Sequence, residues 1–340
     1  MHVFLLGCPR PVGGANSEAG HTALLWRKAG WGVTIIPTWD ESPGNHWPGR
    51  LIAAGCKIVN ATQDTVASVS GIAGSTVVAF CNQFACRAWP AMHAVGCRLV
   101  YSPCMTYPTD PEREVFPTCP PTAAHFQSRF QAALLGPQYA AWGTKHQVVI
   151  PGAFDLDSFP FRPKDREHRF VVGRLARPEP TKWPRALWSI LGDVRKHRID
   201  LRALCMGWHA DLSSKCGQPP AWAECLPTGS CSARHFLAQC DALLCMNGGD
   251  KENWPRVGLE AMAAGVPIVA ERRWGWTEML DDSTAALVET PLEATAALIR
   301  LATDDIYRQT LIVNAREKVE RLTDPDVLGD MWTGALSSLS

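Results

Sequence analysis

Two carboxylates stand out in the segment DKENWPRVGLEAMAAGVPIVAERRWGWTEML, residues 250–280. Glu252 and Glu260 lie eight positions apart, on either side of Pro255. A carboxylate is a strong hydrogen-bond acceptor, and the hydroxyl groups of a sugar or a ribose are donors. A helix N-terminus between the two would also favour a phosphate. The pair is therefore suited to holding a ligand that carries both hydroxyls and phosphates.

The surrounding pattern assigns both side chains to defined elements. The apolar run ALLCMN predicts a buried strand, and GGDKEN predicts the loop that carries Glu252. Pro255 suits a first helical turn, and Gly265 followed by Pro267 indicates where that helix ends. Glu252 then lies at the carboxyl end of a strand, and Glu260 lies early in the next helix. We expect both to face one cleft from different depths.

Strand and helix patterns alternate along the whole chain. A βαβ unit is predicted from the strand HVFLLG, the helix SEAGHTALLWRKAG with Asn16 or Ser17 as N-cap, and the strand WGVTIIP. Further strands are predicted at CKIVN, STVVAF, CRLVYS and HQVVIPGAF, and a helix over PTAAHFQSRFQAALLG. A second series contains FVVGRL, LRALCMGW, ALLCMN and GVPIVAE, before helices that begin at about residue 291.

We therefore predict an α/β protein of two doubly wound, Rossmann-like domains. The length of 340 residues supports two, because single cores stop growing below that size. The polar segment DSFPFRPKDREHR is expected to join them, which gives a first domain over 1–157 and a second over 158–324. A helix at about 325–340 can pack back on the first domain. Ligands of such folds bind at the carboxyl ends of strands, so we expect the main cleft between the domains.

Net charge, apolar segments and cysteine spacing argue against several classes of protein. The formal net charge is zero, which removes the simplest electrostatic argument for a nucleic-acid binder. We find no transmembrane segment and no signal-peptide pattern at the N-terminus. The thirteen cysteines are scattered, without a C-x-x-C or a zinc-type spacing. We expect a cytoplasmic protein with no metal site, whose cysteines are mostly small core side chains.

These segments together resemble the retaining GT-B glycosyltransferases of family 4, the glycosyl transferases group 1. E-x7-E, then AMAAGVPIVA and a glycine-containing turn before Glu278, is similar to the C-terminal pattern of that family. GRLARPEPTKW resembles its G-R…K motif, PGAFDLDSF its linker signature, and PVGGANSEAGHTALLWRKAGWGVTII its glycine-rich first loop. The matches run in the family's order across almost the whole chain. The resemblance implies a GT-B fold, with two Rossmann-like domains facing an interdomain cleft.

The resemblance also implies a donor site in the second domain. Arg174 and Lys182 would hold the diphosphate of a nucleotide sugar and neutralise the leaving group as it departs. Glu260 would accept hydrogen bonds from the ribose hydroxyls. Glu252 would accept from the donor-sugar hydroxyls near the reacting carbon, so that Glu252, Arg174 and Lys182 form the catalytic set.

Four further positions are expected to contact the donor through their backbone or to shape its pocket. Gly13 and Gly14 would let the backbone approach the donor diphosphate or the acceptor closely. Backbone amides at Gly275 and Trp276 would contact the donor sugar. This turn departs from the family pattern of paired glycines, because Trp274 precedes Gly275.

The first domain departs from the family where many members carry a histidine near the reacting centre. The corresponding region reads CRLVYSPCMTYP, in which the polar candidates are Ser102, Cys104 and Thr106. His125 lies in a predicted helix and is expected to pack or to face solvent. The contribution of this domain to catalysis therefore stays open.

The resemblance implies a hexosyltransferase that moves a sugar, with retention, from a nucleotide diphosphate sugar to a hydroxyl acceptor. Front-face attack, in which the departing phosphate helps to accept the proton, requires no metal, cofactor or covalent nucleophile. Saccharide acceptors rank first, and a lipid-linked sugar, a small metabolite and a modified base in DNA stay open. Two alternatives remain. One is a sugar-nucleotide epimerase or hydrolase of the same fold, and the other is a non-catalytic sugar-nucleotide binder, suggested by the missing histidine.

Overall fold

The computed structural model of the chain describes residues 1–7, 9, 13–38, 45–164 and 169–339. Parts of two predicted loops, CPRPVGGANSEAG and DSFPFRPKDREHR, lie outside these residues. The described strands are β1 (His2–Gly7), β2 (Gly32–Pro37), β3 (Lys57–Ile58), β4 (Thr76–Phe80), β5 (Arg98–Ser102), β6 (Ala123–Phe126), β7 (His146–Val149), β8 (Phe170–Leu175), β9 (Leu201–Met206), β10 (Ala223–Leu226), β11 (Ala242–Cys245), β12 (Ile268–Glu271) and β13 (Ala286–Val288). The described α-helices are α1 (Gly14–Lys28), α2 (Trp47–Ala53), α3 (Gln83–Ala94), α4 (Asp110–Val115), α5 (Arg129–Ala141), α6 (Leu187–Lys196), α7 (Ser213–Cys216), α8 (Ala233–Leu237), α9 (Arg256–Ala264), α10 (Trp276–Met279), α11 (Pro291–Thr303), α12 (Asp305–Leu322) and α13 (Pro325–Ser337).

Two compact units make up the fold. Unit 1 comprises residues 1–155 and 323–340, and unit 2 comprises residues 156–322. Unit 1 contains a seven-stranded sheet in the order β3-β2-β1-β4-β5-β6-β7, and unit 2 a six-stranded sheet in the order β10-β9-β8-β11-β12-β13. All of these strand pairs are parallel. Each unit is therefore a doubly wound, Rossmann-like α/β structure, which confirms the predicted fold class.

Both faces of the unit 1 sheet are buried. Val3 and Leu5 belong to one core cluster, whereas Phe4 and Leu6 belong to another. Side chains alternate between the two faces of a strand, so a strand that is apolar at every position needs cover on both sides. The run HVFLLG is apolar almost throughout because both faces of this strand are buried. The same unit includes α13, which packs against α1.

The sheet of unit 2 reverses its strand order at β8. Strands β9 and β10 lie on one side of β8, whereas β11, β12 and β13 lie on the other. A reversal of this kind opens a crevice at the carboxyl ends of the two central strands. Arg174 is the next-to-last residue of β8, and Asn247 follows the end of β11 by two positions. Polar side chains from distant parts of the sequence therefore meet at this crevice.

Two local predictions are wrong. The segment PTAAHFQSRFQAALLG is not one helix, because Ala123–Phe126 forms β6 and α5 begins only at Arg129. Pairing of β6 with β5 and β7 satisfies its backbone groups in the sheet and overrides the helix propensity of its alanines. The N-cap of α1 is Gly13 rather than Asn16 or Ser17.

The described part of the chain contains neither a candidate membrane-spanning helix nor a candidate metal site. None of its helices is both long enough and apolar enough to cross a lipid bilayer. Nor do three or more His, Cys, Asp or Glu side chains from these residues group in a way that would hold a metal ion.

Candidate donor site in unit 2

Arg174 is held inside unit 2, where its residue is 3% exposed. Its Nη1 donates to the Leu244 carbonyl at 3.1 Å, and its Nη2 donates to Asn247 Oδ1 at 3.0 Å and to the Lys182 carbonyl. Among the described residues its Nε has no hydrogen-bond partner. The chain thus occupies both terminal nitrogens. Arg174 can therefore act on a ligand through its buried positive charge rather than through a free guanidinium fork.

Lys182 and Glu252 extend this arrangement through a shared amide. Lys182 Nζ donates to Glu252 Oε1 at 2.8 Å and lies 3.3 Å from Asp250 Oδ2. Asn247 Nδ2 donates to the same Glu252 oxygen at 2.8 Å. The structure therefore joins Arg174, Lys182 and Glu252, three of the predicted donor contacts, in one hydrogen-bonded network with Asn247 at its centre.

Hydrogen bonds to backbone atoms hold together the two loops that carry this network, one after β8 and one after β11. The Gly248 amide donates to the Thr181 carbonyl at 2.8 Å. Lys215 Nζ donates to the carbonyls of Pro180 at 2.6 Å and of Gly248 at 2.9 Å. A side chain at Gly248 would place its Cβ 2.1 Å from the Trp183 carbonyl oxygen, so only glycine fits there. The approach of the two loops holds Lys182 beside Glu252.

The turn before α10 rests directly on the loop of Glu252. The Gly275 amide donates to the Glu252 carbonyl at 2.9 Å. A Cβ at Gly275 would lie 1.5 Å from the Asn253 carbonyl oxygen, a distance that two atoms cannot share. Trp274 adopts a φ of 58°, a left-handed conformation that is strained for a bulky residue. Trp276 follows in α10 and is buried at 2% exposure.

Glu260 occupies the middle of α9 and is partly buried. Burial raises the pKa of its carboxyl to about 7, against the opposing effect of the Arg256 charge. In the described residues no hydrogen bond or ion pair joins Glu260 to the network around Asn247. Of the four predicted donor side chains, it is the one that stands apart from that network.

Two polar residues of this region escaped the sequence analysis. Asn247 belongs to no motif of the resemblance, although it connects the three predicted side chains. Glu271 ends β12, is 3% exposed, and accepts a hydrogen bond from Arg273 through Oε1. Its Oε2 is buried without a partner among the described residues, and burial raises the pKa of the carboxyl. An unsatisfied buried acceptor is costly, which makes Glu271 a candidate for a ligand hydroxyl.

The remaining predicted glycines belong to unit 1. Gly13 has a φ of 101° and is the N-cap of α1, so a side chain there would be strained. Gly14 is the first residue of that helix, not part of the preceding loop.

The positions considered in place of the family's histidine also lie in unit 1. Ser102 is fully buried at the end of β5, and its Oγ lies 3.8 Å from Cys104 Sγ. Thr106 is partly buried. His125 is buried at 1% exposure on β6, where its Nε2 lies 2.8 Å from the Ile150 carbonyl oxygen. Burial lowers the pKa of His125 to about 4, so this ring is a neutral core side chain.

The sequence of unit 2 is similar to one known family of enzymes. Residues 167–304 match the family model described as glycosyl transferases group 1. The matched residues all lie within unit 2. The predicted class of enzyme, a glycosyltransferase, is thereby confirmed. A search of curated protein sequences finds no significant match to the chain.

Solved structures extend the likeness to both units of this glycosyltransferase. Anabaena HepE in complex with UDP and glucose is 18% identical, with a TM-score of 0.75, over 99% of this chain and 100% of that one. Sucrose-phosphate synthase from Thermosynechococcus elongatus is 13% identical, with a TM-score of 0.74, over 100% and 99%. A mutant of S. aureus TarM, in complex with Fondaparinux, alpha-GlcNAc-glycerol and UDP, is 10% identical, with a TM-score of 0.74, over 98% and 99%. At these identities the likeness establishes the fold, which is GT-B.

Proposed function

We propose that the chain is a retaining hexosyltransferase of family 4, which transfers a sugar from a nucleotide diphosphate sugar to a hydroxyl acceptor. The observation that carries the proposal is the network of Arg174, Asn247, Lys182 and Glu252 at the carboxyl ends of β8 and β11. It combines two cations with a carboxylate acceptor at the place where open α/β sheets bind ligands. A ligand that is anionic at one end and rich in hydroxyls at the other matches this combination.

The two cations have different tasks in this proposal. Arg174 is a fixed positive charge in a water-poor environment, where electrostatic stabilisation of a leaving diphosphate is strong. The Lys182 ammonium, on a flexible stem, is balanced by Glu252 and Asp250 in the structure. We expect it to turn from Asp250 towards the diphosphate when the donor binds, because a phosphate oxygen is the stronger partner.

The acceptor groups of the site match the hydroxyls of a donor. Glu252 is assigned to the transferred sugar, and Glu260 to the ribose. Glu271 Oε2, which is buried and unsatisfied, is a third acceptor that a hydroxyl of the ligand can satisfy. Transfer then proceeds on the face of the departing diphosphate, which helps to take the proton of the acceptor hydroxyl. No side chain has to form a covalent intermediate.

UDP is the first nucleotide to test, because the HepE and TarM structures are complexes with UDP. A saccharide hydroxyl is the favoured acceptor, ahead of a lipid-linked sugar, a small metabolite or a modified base in DNA. Since Arg174 and Lys182 supply two positive charges, we propose that transfer needs no metal or other cofactor. We place the enzyme in the cytoplasm, a compartment that suits the absence of disulfides among its described cysteines.

A thermal-shift panel of UDP-, GDP-, ADP- and TDP-sugars tests the donor assignment. A ligand that binds only the native state raises the melting temperature, and tighter binding at the same concentration raises it further. We expect one nucleotide to stabilise the chain selectively, and we expect Arg174→Ala and Glu260→Ala to lose that stabilisation. The exposed Glu317 on α12 offers a matched control, since Glu317→Ala should respond like the unmodified chain.

The same samples separate transfer from the alternatives. Incubation with donor alone should yield neither an epimer nor rapid release of free sugar, whereas an acceptor panel should yield a glycoside with the anomeric configuration of the donor. If no nucleotide sugar binds the unmodified chain, the donor assignment is wrong. An inverted anomeric centre in the product would exclude the retaining mechanism.

A further inference from the structure

Two cysteines of unit 2 face each other across neighbouring strands. Cys205 on β9 and Cys225 on β10 are direct register partners in the parallel ladder. Both pack in the same core cluster, so their side chains lie on the same face of the sheet. Cys205 is fully buried, whereas Cys225 is partly exposed. No spacing rule reveals this pair, because the two residues are brought together only by strand order.

The strand geometry allows a covalent bond between them. Neighbouring strands lie about 4.8 Å apart, which is within the range of about 4.4–6.8 Å between the Cα atoms of a disulfide. Closure needs a small approach of the two Cβ atoms. Strand β10 can provide it, because it is at the end of the sheet and pairs with β9 alone among the described strands.

We propose that Cys205 and Cys225 are an oxidisable dithiol, a site of reversible disulfide formation within the glycosyltransferase domain. A low-molecular-weight disulfide of the glutathione type is the oxidant. The Cys225 thiolate attacks one sulfur of this reagent, forms a mixed disulfide and releases one thiolate. The Cys205 sulfur, after losing its proton, then attacks Cys225 and releases the second thiolate. The protein loses two electrons and two protons, and the reagent is reduced to two thiols.

The asymmetry of the pair suits this order of events. Cys225 is the thiol that solvent reaches, so it is the one that meets an external reagent. The neighbouring Cys205 thiol lowers the pKa of Cys225, whereas the Cys225 thiol and burial raise the pKa of Cys205. The second step is internal to the protein, so burial of Cys205 does not prevent it. The edge position of β10 and the greater exposure of Cys225 thus make Cys225 the attacking thiol and Cys205 the resolving thiol.

The disulfide would form beside β8, the strand that carries Arg174 of the candidate donor site. Cys205 is also the register partner of Arg174, so the three residues form one row across β8, β9 and β10. Leu226, next to Cys225, accepts hydrogen bonds from the amides of Gly207 at 2.9 Å and Trp208 at 3.0 Å. Movement of β10 towards β9 would therefore change how these two amides are bonded.

Disulfide mapping of the whole chain tests the proposal. The protein is equilibrated in buffers of increasing oxidised to reduced glutathione, alkylated and digested without reduction. We expect a linked peptide pair that contains Cys205 and Cys225, reversed by dithiothreitol. Cys225→Ser should abolish it, whereas Cys231→Ser, which changes another partly exposed cysteine of the same unit, should retain it. In Cys205→Ser a mixed disulfide of glutathione on Cys225 should accumulate, because the resolving thiol is gone.

Hydrogen exchange supplies the second readout. Amides of Gly207 and Trp208 should exchange at a different rate in the oxidised protein, on the order of fivefold or more, and the change should be absent in Cys225→Ser. Absence of the linked pair in strongly oxidising glutathione would overturn the proposal. So would equal linkage of Cys225 to Cys231 or Cys240. Neither readout involves a donor, so failure of the proposed function would leave both unaffected.

Discussion

One carboxylate oxygen of Glu252 accepts two hydrogen bonds, from Lys182 Nζ and from Asn247 Nδ2, each at 2.8 Å. Glu252→Gln keeps the size of the side chain but removes the charge that orients Lys182. We expect turnover to fall by about a hundredfold, as for other lost electrostatic contacts in active sites, with a much smaller change in nucleotide affinity. Steady-state kinetics together with calorimetric titration of the nucleotide separate the two effects.

The exposed Glu317 provides the control for this change, since Glu317→Gln should alter neither quantity. Unchanged turnover in Glu252→Gln would exclude the role assigned to its charge. A loss of nucleotide affinity as large as the loss of turnover would assign Glu252 to the nucleotide instead of the transferred sugar.

Glu260 predicts a pH dependence of donor binding. Its pKa is raised by burial to about 7, so the carboxyl is largely protonated below that pH in the free protein. A ribose hydroxyl donates to the ionised form, so binding below about pH 7 must first remove the proton. We expect the dissociation constant of the donor to increase up to about tenfold for each pH unit below this value, and to level off above it.

Calorimetry in buffers of different ionisation enthalpy should detect the proton that is released on binding. The Glu260→Gln variant should bind more weakly at neutral pH and release no proton at this position. A pH profile of Glu260→Gln that is parallel to that of the unmodified chain would contradict the ribose assignment.

The sequence motifs contain the charged residues of the hydrogen-bonded network but not the residues that connect them. Lys182 and Glu252 belong to spaced motifs, and the structure brings them within 2.8 Å of each other. Asn247 and Lys215 were missed for a physical reason. Asn247 binds Arg174, and Lys215 binds the carbonyls of Pro180 and Gly248, which are all distant in the sequence. These contacts depend on strand order and on the approach of two loops, which no local pattern encodes.

Among the elements, the turn before α10 is the one whose backbone fits most tightly against the site. Gly275→Ala would bring a methyl group to 1.5 Å from the Asn253 carbonyl oxygen, so the turn and the Glu252 loop must separate. We expect a loss of about 1–3 kcal/mol in the free energy of unfolding and weaker donor binding. Denaturant unfolding and a nucleotide titration measure these two effects.

Gly192→Ala is the matched substitution, because no atom lies within 4 Å of the added Cβ and the position is helical. There we expect a gain of about 0.5–1 kcal/mol in stability and unchanged binding. If Gly275→Ala and Gly192→Ala behave alike, the tight contact between turn and loop has no energetic importance.

Helices and strands with a simple apolar pattern could be predicted from the sequence, whereas those whose pattern is interrupted by proline or by charge could not. The strand HVFLLG and the C-terminal helices follow simple apolar patterns. Helix α3 was missed because Pro90 lies inside it, although Asn82 caps it through a 3.1 Å bond to the Ala85 amide. Strand β10 was missed because Glu224 interrupts a short edge strand that is only partly buried.

At the scale of the whole molecule, the buried His125 predicts an acid-sensitive unit 1. Its pKa is lowered from 6.5 to about 4 in the folded state, so between these values the unfolded chain binds more protons. The free energy of unfolding should therefore decrease as the pH falls from 6.5 to 4, by about 3 kcal/mol in total for this residue.

Comparison with His125→Gln isolates this effect from that of other titrating groups. Glutamine can still donate to the Ile150 carbonyl but does not titrate. Denaturant unfolding of both proteins should be measured at several pH values. As the pH falls from 6.5 to 4, the unmodified chain should lose more free energy of unfolding than His125→Gln. A difference that stays constant with pH would show that His125 does not titrate on unfolding.

The two units differ in how they are assembled from the chain, because unit 2 is one continuous stretch whereas unit 1 also takes residues 323–340. Trp332 of that last segment is buried against Trp26, with ring centroids 5.2 Å apart. During synthesis on the ribosome, unit 2 can complete its core before unit 1, although unit 1 begins first. The core of unit 1 stays incomplete until α13 has emerged, so we expect chaperones to bind the exposed apolar surface of this unit during that interval.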